Sequence, residues 1–293
     1  MQYLILGANG YIGSYLYTRM TADKLKVIGT GHCRKGAEAL VDFDILSDSV
    51  CHITKLFSDK DKDKTAIICI AQANIDRCKE EYDLSRQINV TYTLKTIATL
   101  LQEEFHVIYF STDNVFDGRK GNYAEYDKTN AVNQYGKMKE EMEHCLSEKY
   151  PEVCIFRLPK VLGTERERLN LLTDLENRLS SDEEIRCIKD TEMSIVAQED
   201  IYRACLIAAK RKLCGIYNLS SGEVYSREEL TKRFYNCMKI YNKKIVEWEL
   251  EKFGFKDVRP LHISLNNSKF KRETGYEFML YDTIVEKYIE NIG

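Results

Sequence analysis

Proline is scarce, with three residues in a chain of 293. No Pro-, Gly- or Ser-rich stretch interrupts the sequence, which excludes a flexible linker or low-complexity tail and leaves no boundary that composition alone can draw. Long apolar runs are missing too. None approaches the ~20 residues that a membrane-spanning helix needs, so a membrane is not an expected partner. Neither sign of charge dominates: 43 Lys and Arg face 46 Asp and Glu, for a formal net charge of −3. Because the two signs are mixed along the whole length, nucleic acid is not expected as a bulk electrostatic partner. An apolar strand begins almost at the first residue and leaves no room for a signal peptide, so the expected location is cytoplasmic. Cysteine is plentiful, at ten residues, but no C-x-x-C pair occurs. Most of these thiols sit in apolar segments, as Cys69 does in Ile67-Ile68-Cys69-Ile70. They read as reduced small hydrophobes, and no metal centre is expected.

What is present is a soluble composition, 44% hydrophobic and 30% charged, long enough for one large or two intimate domains. The informative stretch comes first. In Tyr3-Leu4-Ile5-Leu6-Gly7-Ala8-Asn9-Gly10-Tyr11-Ile12-Gly13 an apolar strand runs into three glycines and then into a helical pattern. Gly7 can turn with positive φ, Gly10 lets the backbone approach a pyrophosphate, and Gly13 allows close packing of helix on strand. The amides at the helix start would face the anion.

Strand and helix then alternate. Strands are expected at Lys26–Thr30, at the end of Val41–Ile45, at Thr65–Ile70, His106–Ser111 and Val153–Leu158. Helices are expected from Ser49 to Phe57, Lys79 to Glu103 and Gln134 to Lys149. Repeated units of this length predict an α/β fold with a doubly wound parallel sheet and ligands beyond the C-terminal strand ends. After the second strand comes Gly29-Thr30-Gly31-His32-Cys33-Arg34-Lys35, which holds no acid for a ribose 2′-hydroxyl and two cations for a 2′-phosphate; NADP(H) is therefore favoured over NAD(H). Asp44-Ile45 either frames the adenine or caps a turn.

A second cluster spans residues 109 to 139. Ser111-Thr112-Asp113-Asn114 leaves a strand end, and Tyr135 and Lys139 share one helix face at i, i+4. A lysine ammonium stabilises a nearby phenolate. Bringing a tyrosine from ~10 toward ~7 takes about 4 kcal/mol of differential interaction. Such a tyrosine can give a proton to a carbonyl oxygen as hydride arrives, while Ser111 or Thr112 holds that oxygen.

These motifs resemble the extended short-chain dehydrogenase/reductase superfamily, and most closely its dTDP-4-dehydrorhamnose reductase branch. The resemblance rests on Ser111-Thr112-Asp113-Asn114-Val115-Phe116-Asp117-Gly118 and on Asn133-Gln134-Tyr135-Gly136-Lys137-Met138-Lys139. It also rests on Ala71 to Glu80 with Ile88-Asn89-Val90, on Gly215 to Gly222, and on Arg259-Pro260-Leu261 with Leu265 to Lys269. It implies a Rossmann-type dinucleotide-binding domain over 1–162 and a smaller substrate-binding lobe over 163–293, with about 195–219 returning to the sheet. Thr112, Tyr135 and Lys139 would be catalytic. Gly7, Gly10, Tyr11, Ile12, Gly13, His32, Arg34, Asp44, Ile45, Ala71 and Ala73 would hold the cofactor with Tyr135 and Lys139. Asp113, Asn114 and Arg259 would meet substrate, Arg157 and Lys160 are further candidates for a diphosphate, and Asn89 would organise backbone behind the site. The sequence departs from the branch at Asn114, Ala131 and Met138, and between Asp190 and Ile201.

The implied activity is NADPH-dependent reduction of a keto group on a nucleotide-activated deoxysugar for surface polysaccharide synthesis, possibly by a homodimer. The alternatives are a sugar-nucleotide epimerase or dehydratase, and a non-catalytic regulatory protein on the same fold. Dehydratases usually add a second acid after the serine or threonine, where this chain has Asp113 followed by Asn114.

Overall fold

A computed structural model describes residues 1–32, 40–57, 63–165, 170–180 and 184–291. Its first half is built from β1 (Gln2–Leu6), α1 (Tyr11–Ala22), β2 (Lys26–Gly31), β3 (Val41–Asp42), α2 (Cys51–Thr54) and β4 (Lys64–Ile68). There follow α3 (Ile75–Glu80), α4 (Tyr82–Arg86), α5 (Thr93–Gln102), β5 (Phe105–Thr112), α6 (Gln134–Lys149) and β6 (Cys154–Leu158). The second half holds β7 (Lys160–Leu162), α7 (Leu171–Asn177), β8 (Ile185–Ile188), β9 (Ile195–Ala197), α8 (Gln198–Arg211) and β10 (Gly215–Asn218). It ends with α9 (Arg227–Cys237), β11 (Ile245–Trp248), α10 (Ser268–Thr274) and α11 (Tyr281–Glu290).

Seven strands form one parallel sheet in the order β3-β2-β1-β4-β5-β6-β10. The doubly wound α/β fold expected from the alternating pattern is therefore present. In register, Tyr3 lies opposite Val27 on one side and Thr65 on the other. The apolar runs are covered on both faces, and Leu4, Ile5, Leu6, Ile67, Val107 and Ile108 are fully buried, which is why these strands lack alternation. The chain order reverses at β1, with β2 and β4 on either side. Such a reversal opens a crevice at the C-terminal strand ends.

The chain divides into two compact units. One comprises residues 1–112, 133–156 and 202–216; the other comprises 113–132, 157–201 and 217–293. In the second, α7, α9 and α11 enclose a core of Leu172, Leu175, Leu230, Phe234, Ile284 and Tyr288. The buried positions of α11, at Tyr281, Ile284, Val285 and Tyr288, follow helical spacing. The segment 195–219 is split: β9 pairs with β7 in a separate two-stranded sheet, whereas β10 lies at the edge of the large sheet beside β6.

Two expected helices differ from what forms. The single helix read over Lys79 to Glu103 is instead α3, α4, a π-helical stretch over Gln87–Tyr92, and α5. Residues 75–102 contain neither proline nor glycine, so no local signal marks the breaks. They come with Glu81 leaving helical geometry, at φ −114° and ψ 49°, and with the long-range bonds of Asn89 described below. The helix read from Glu165 to Leu179 starts only at Leu171. Asn170 caps it by accepting from the Leu172 amide at 2.8 Å, while its own amide donates to Thr173 Oγ1 at 2.7 Å. Likewise the helix expected over Ser49 to Phe57 is one turn, α2.

Candidate active site

The turn from β1 into α1 has the strained geometry that its glycines allow. Gly7 sits at φ 88°, and a Cβ on Gly13 would lie 2.1 Å from the Gly7 carbonyl oxygen. Gly10 donates to that carbonyl at 3.0 Å and caps α1 in an extended conformation. No side chain caps the helix, and its first turn carries no acid, so α1 presents an electropositive end bounded by backbone. Tyr11 and Ile12 form that first turn with Gly13.

A cleft of about 200 Å³ opens here, and Gly7, Gly10, His32, Asp44, Ile45 and Ala71 line it, as the sequence reading expects of cofactor residues. Asn9, Phe43 and Cys69 line it too and were missed. Asn9 had a signal in its place inside the glycine turn; Phe43 and Cys69 looked like ordinary strand residues. Ala73 is exposed, just ahead of the α3 cap Asn74, and is not a wall of this cleft. Arg34 falls within 33–39, outside the described residues. Both readings of Asp44 hold, since its carboxylate accepts from the Leu46 amide at 2.9 Å while the residue also walls the cleft. A turn with no room for side chains, leading to an uncapped helix end, fits the pyrophosphate of a dinucleotide.

The candidate catalytic pair is carried by α6. Asn133 caps this helix by accepting from the Gly136 amide at 2.8 Å, which fixes the turn that bears Tyr135. Lys139, one turn on, is only 3% exposed. Its ammonium donates to Phe110 O at 2.7 Å and to Tyr109 Oη at 3.1 Å. It lies 4.5 Å from the Tyr109 ring centre and 6.0 Å from that of Tyr135. Loss of hydration pushes this lysine down to about 8, with Glu143 the strongest opposing influence. Burial likewise drives the Tyr109 phenol well above its ordinary range, so that it serves as a neutral acceptor.

Thr112 and Ser111 end β5 and are both buried. Ser111 Oγ donates to Glu143 Oε1 at 2.5 Å, so of the two candidate hydroxyls Ser111 is engaged away from the site. Neither Tyr109 nor Glu143 figured among the candidates. Tyr109 reads as one more apolar strand residue, but Glu143 continues the Tyr135 and Lys139 stripe at i, i+4 and was in principle legible. Asn89 organises backbone as the resemblance implied: its Oδ1 accepts from the Gln72 amide at 2.8 Å and its Nδ2 donates to the Gln72 carbonyl at 2.9 Å.

The remaining candidates lie in the second unit. Asn114 Nδ2 donates to Asp113 Oδ1 at 2.8 Å. Arg157 is buried, 4.8 Å over the Phe116 ring, and donates to Glu125 O at 3.3 Å, which is a packing environment. Lys160 is exposed at the start of β7. Arg259 donates to Asp257 O at 3.0 Å and covers the Phe255 ring at 4.4 Å. Trp248 packs against Phe253, with Arg186 4.0 Å above its ring.

The sequence profile of the RmlD substrate binding domain family matches residues 1–293. The chain belongs to this family. The resemblance read from its motifs is thus borne out, and the expectation of an oxidoreductase stands with it. The chain is 25% identical to methionine adenosyltransferase 2 subunit beta of Danio rerio over 275 residues, covering 92% of this chain and 83% of that one. To a probable low-salt glycan biosynthesis reductase of Haloferax volcanii it is 27% identical over 173 residues, 59% of this chain and 57% of the other. In fold it matches the dTDP-4-dehydrorhamnose reductase of Bacillus anthracis, solved in complex with NADP, with a TM-score of 0.86 at 19% identity over 99% of this chain and all of that one.

Proposed function

We propose that this protein is an NADPH-dependent reductase of a keto group on a nucleotide-activated deoxysugar. The observation that carries the proposal is the buried Lys139 ammonium, bonded to β5 just before Thr112 and lying under the Tyr135 ring in the unit that contains the glycine turn. When bound, the cofactor supplies a hydride to the carbonyl carbon. Tyr135 gives its phenolic proton to the carbonyl oxygen, Thr112 holds that oxygen by a hydrogen bond, and Lys139 offsets the negative charge left on the phenol. The product is the alcohol. Asp113, Asn114 and Arg259 are proposed to meet the sugar nucleotide. The named relatives include a glycan reductase and a rhamnose-pathway reductase, which supports this substrate class.

The preference for NADPH rests on Arg34 and Lys35 after β2, with no acid between Gly29 and Lys35. Arg34→Ala should weaken NADPH far more than NADH; equal weakening would remove the phosphate assignment. A non-catalytic regulatory role is favoured by one observation, the likeness to a methionine adenosyltransferase subunit. Against it stands a lysine kept buried beneath a tyrosine at a cost in hydration, which a scaffold does not need. The deciding experiment incubates the purified protein with NADPH and a panel of 4-keto-6-deoxy sugar nucleotides and follows the loss of NADPH absorbance. Turnover with at least one supports the reductase, whereas none, combined with tight binding to another protein, would favour the regulatory role.

A further inference from the structure

Lys139 is buried among groups that could leave it uncharged. Its hydrogen bonds go to a phenol and a backbone carbonyl, both neutral acceptors. Around it stand Tyr135 and Glu143 from α6, Tyr109 from β5, Cys69 beyond the end of β4, and Cys78 from α3. Burial holds the Cys69 thiol and the Tyr109 phenol in their neutral forms. Glu143 differs in kind. It lies one helical turn beyond Lys139 on the same face, it is 4% exposed, and so is Ser111, whose hydroxyl clamps its carboxylate at 2.5 Å. A buried carboxylate is costly unless it is paired and hydrogen-bonded, and here the clamp comes from the strand that also supplies Tyr109 and Phe110 to the lysine.

We propose that Glu143, fixed by Ser111, is the counter-ion that holds the Lys139 ammonium charged and aimed at β5, and so acts as a positioning residue for the reaction. The inference rests on the proposed role of Lys139. Without Glu143 the lysine would meet only uncharged neighbours and would lose its proton nearer neutrality. The phenol one turn back would then face an amine instead of an ammonium, and Tyr135 would no longer be tuned.

The test reads the lysine itself. In protein carrying isotope-labelled lysine, the Lys139 signal is assigned by its disappearance in Lys139→Arg and titrated by NMR in the wild type, Glu143→Gln and Glu143→Asp. The amide still accepts from Ser111 but carries no charge. Its titration midpoint for Lys139 should fall by about one unit or more, roughly tenfold in proton affinity, and Glu143→Asp should restore most of the loss. If turnover is present, the basic limb of kcat/KM should move down by the same amount while the rate on the acid side of that limb stays put. A Lys139 midpoint unchanged in folded Glu143→Gln overturns the proposal. Should that variant not fold, Ser111→Ala is read in its place: a smaller fall in the same direction supports the proposal, and no change overturns it. The titration needs no substrate. A shifted midpoint in a protein that reduces no sugar nucleotide would remove the reductase reading and leave the counter-ion in place.

Discussion

A tyrosine can act as an acid near neutral pH only if something nearby favours its anion, and in this chain that something is one amine. Tyr135→Phe removes the proton and leaves the cleft at the β1 turn intact; turnover should fall by orders of magnitude while NADPH binding, measured by fluorescence, stays close to wild type. Unchanged turnover would rule Tyr135 out as the acid. The same amine leaves a mark on stability. Lys139 titrates at about 8 in the folded protein and at ~10.4 when free. Below 8 both states carry the proton and the folded state bears the full cost of a buried ammonium. Between 8 and about 10 the unfolded chain holds more protons, so stability rises with pH, by up to roughly 3 kcal/mol. Lys139→Met should abolish that rise, as urea midpoints measured across the window would record. Turnover should decline over the same interval, as the phenol loses its charged neighbour.

At the scale of the element, the β1 to α1 turn was fully legible. Gly7 does take positive φ, and Gly13 does face a carbonyl that leaves no room for a methyl group. Gly13→Ala is expected to destabilise the protein by more than ~1 kcal/mol through overpacking and to weaken cofactor binding with it; a thermal melt and an NADPH titration check both. The helix of the catalytic pair was legible to the residue, from Gln134 to Lys149, because Asn133 is a capping residue ahead of a continuous helical pattern. The region from 75 to 102 was not. Its breaks depend on bonds between Asn89 and Gln72, 17 residues apart, and such pairings leave no trace in local periodicity. Glu143 fell between the two cases, visible as a stripe position yet meaningful only once Ser111 is seen to clamp it.

α8 supplies a second titration. Asp200 is buried and accepts from Tyr276 Oη at 2.8 Å and from the Met279 and Ala197 amides at 3.3 Å. Burial nonetheless raises its carboxyl to about 6. The folded state therefore binds the proton more tightly than the unfolded one. Stability falls as pH climbs from ~4 through 6, by roughly 3 kcal/mol at most. Asp200→Asn should flatten that slope in urea unfolding, and an unaltered slope would mean that another acid is responsible.

For the whole molecule, the alternating pattern of strands and helices sufficed for the parallel sheet, because each strand is buried on both faces and reads as an unbroken apolar run. The division of the chain was less readable. Segment 113–132 belongs with residues beyond 157, and no proline or glycine cluster announces where the chain leaves one unit for the other. The abundance of cysteine has a simpler outcome at this scale: none of the nine described cysteines is in a disulfide. A reducing agent should leave the melting temperature unchanged, and a drop of several degrees would reveal a cross-link.

The widened helical stretch over Gln87–Tyr92 ties chain length to orientation. A π turn accommodates one residue more than the 3.6 of a regular turn, so a version of this chain shorter by one residue there would wind on as plain α-helix and swing everything after it by roughly 100°. Asn89 would then point away from the loop it pins. Substitutions are free to accumulate along this arm of the protein, but its residue count is not free to change.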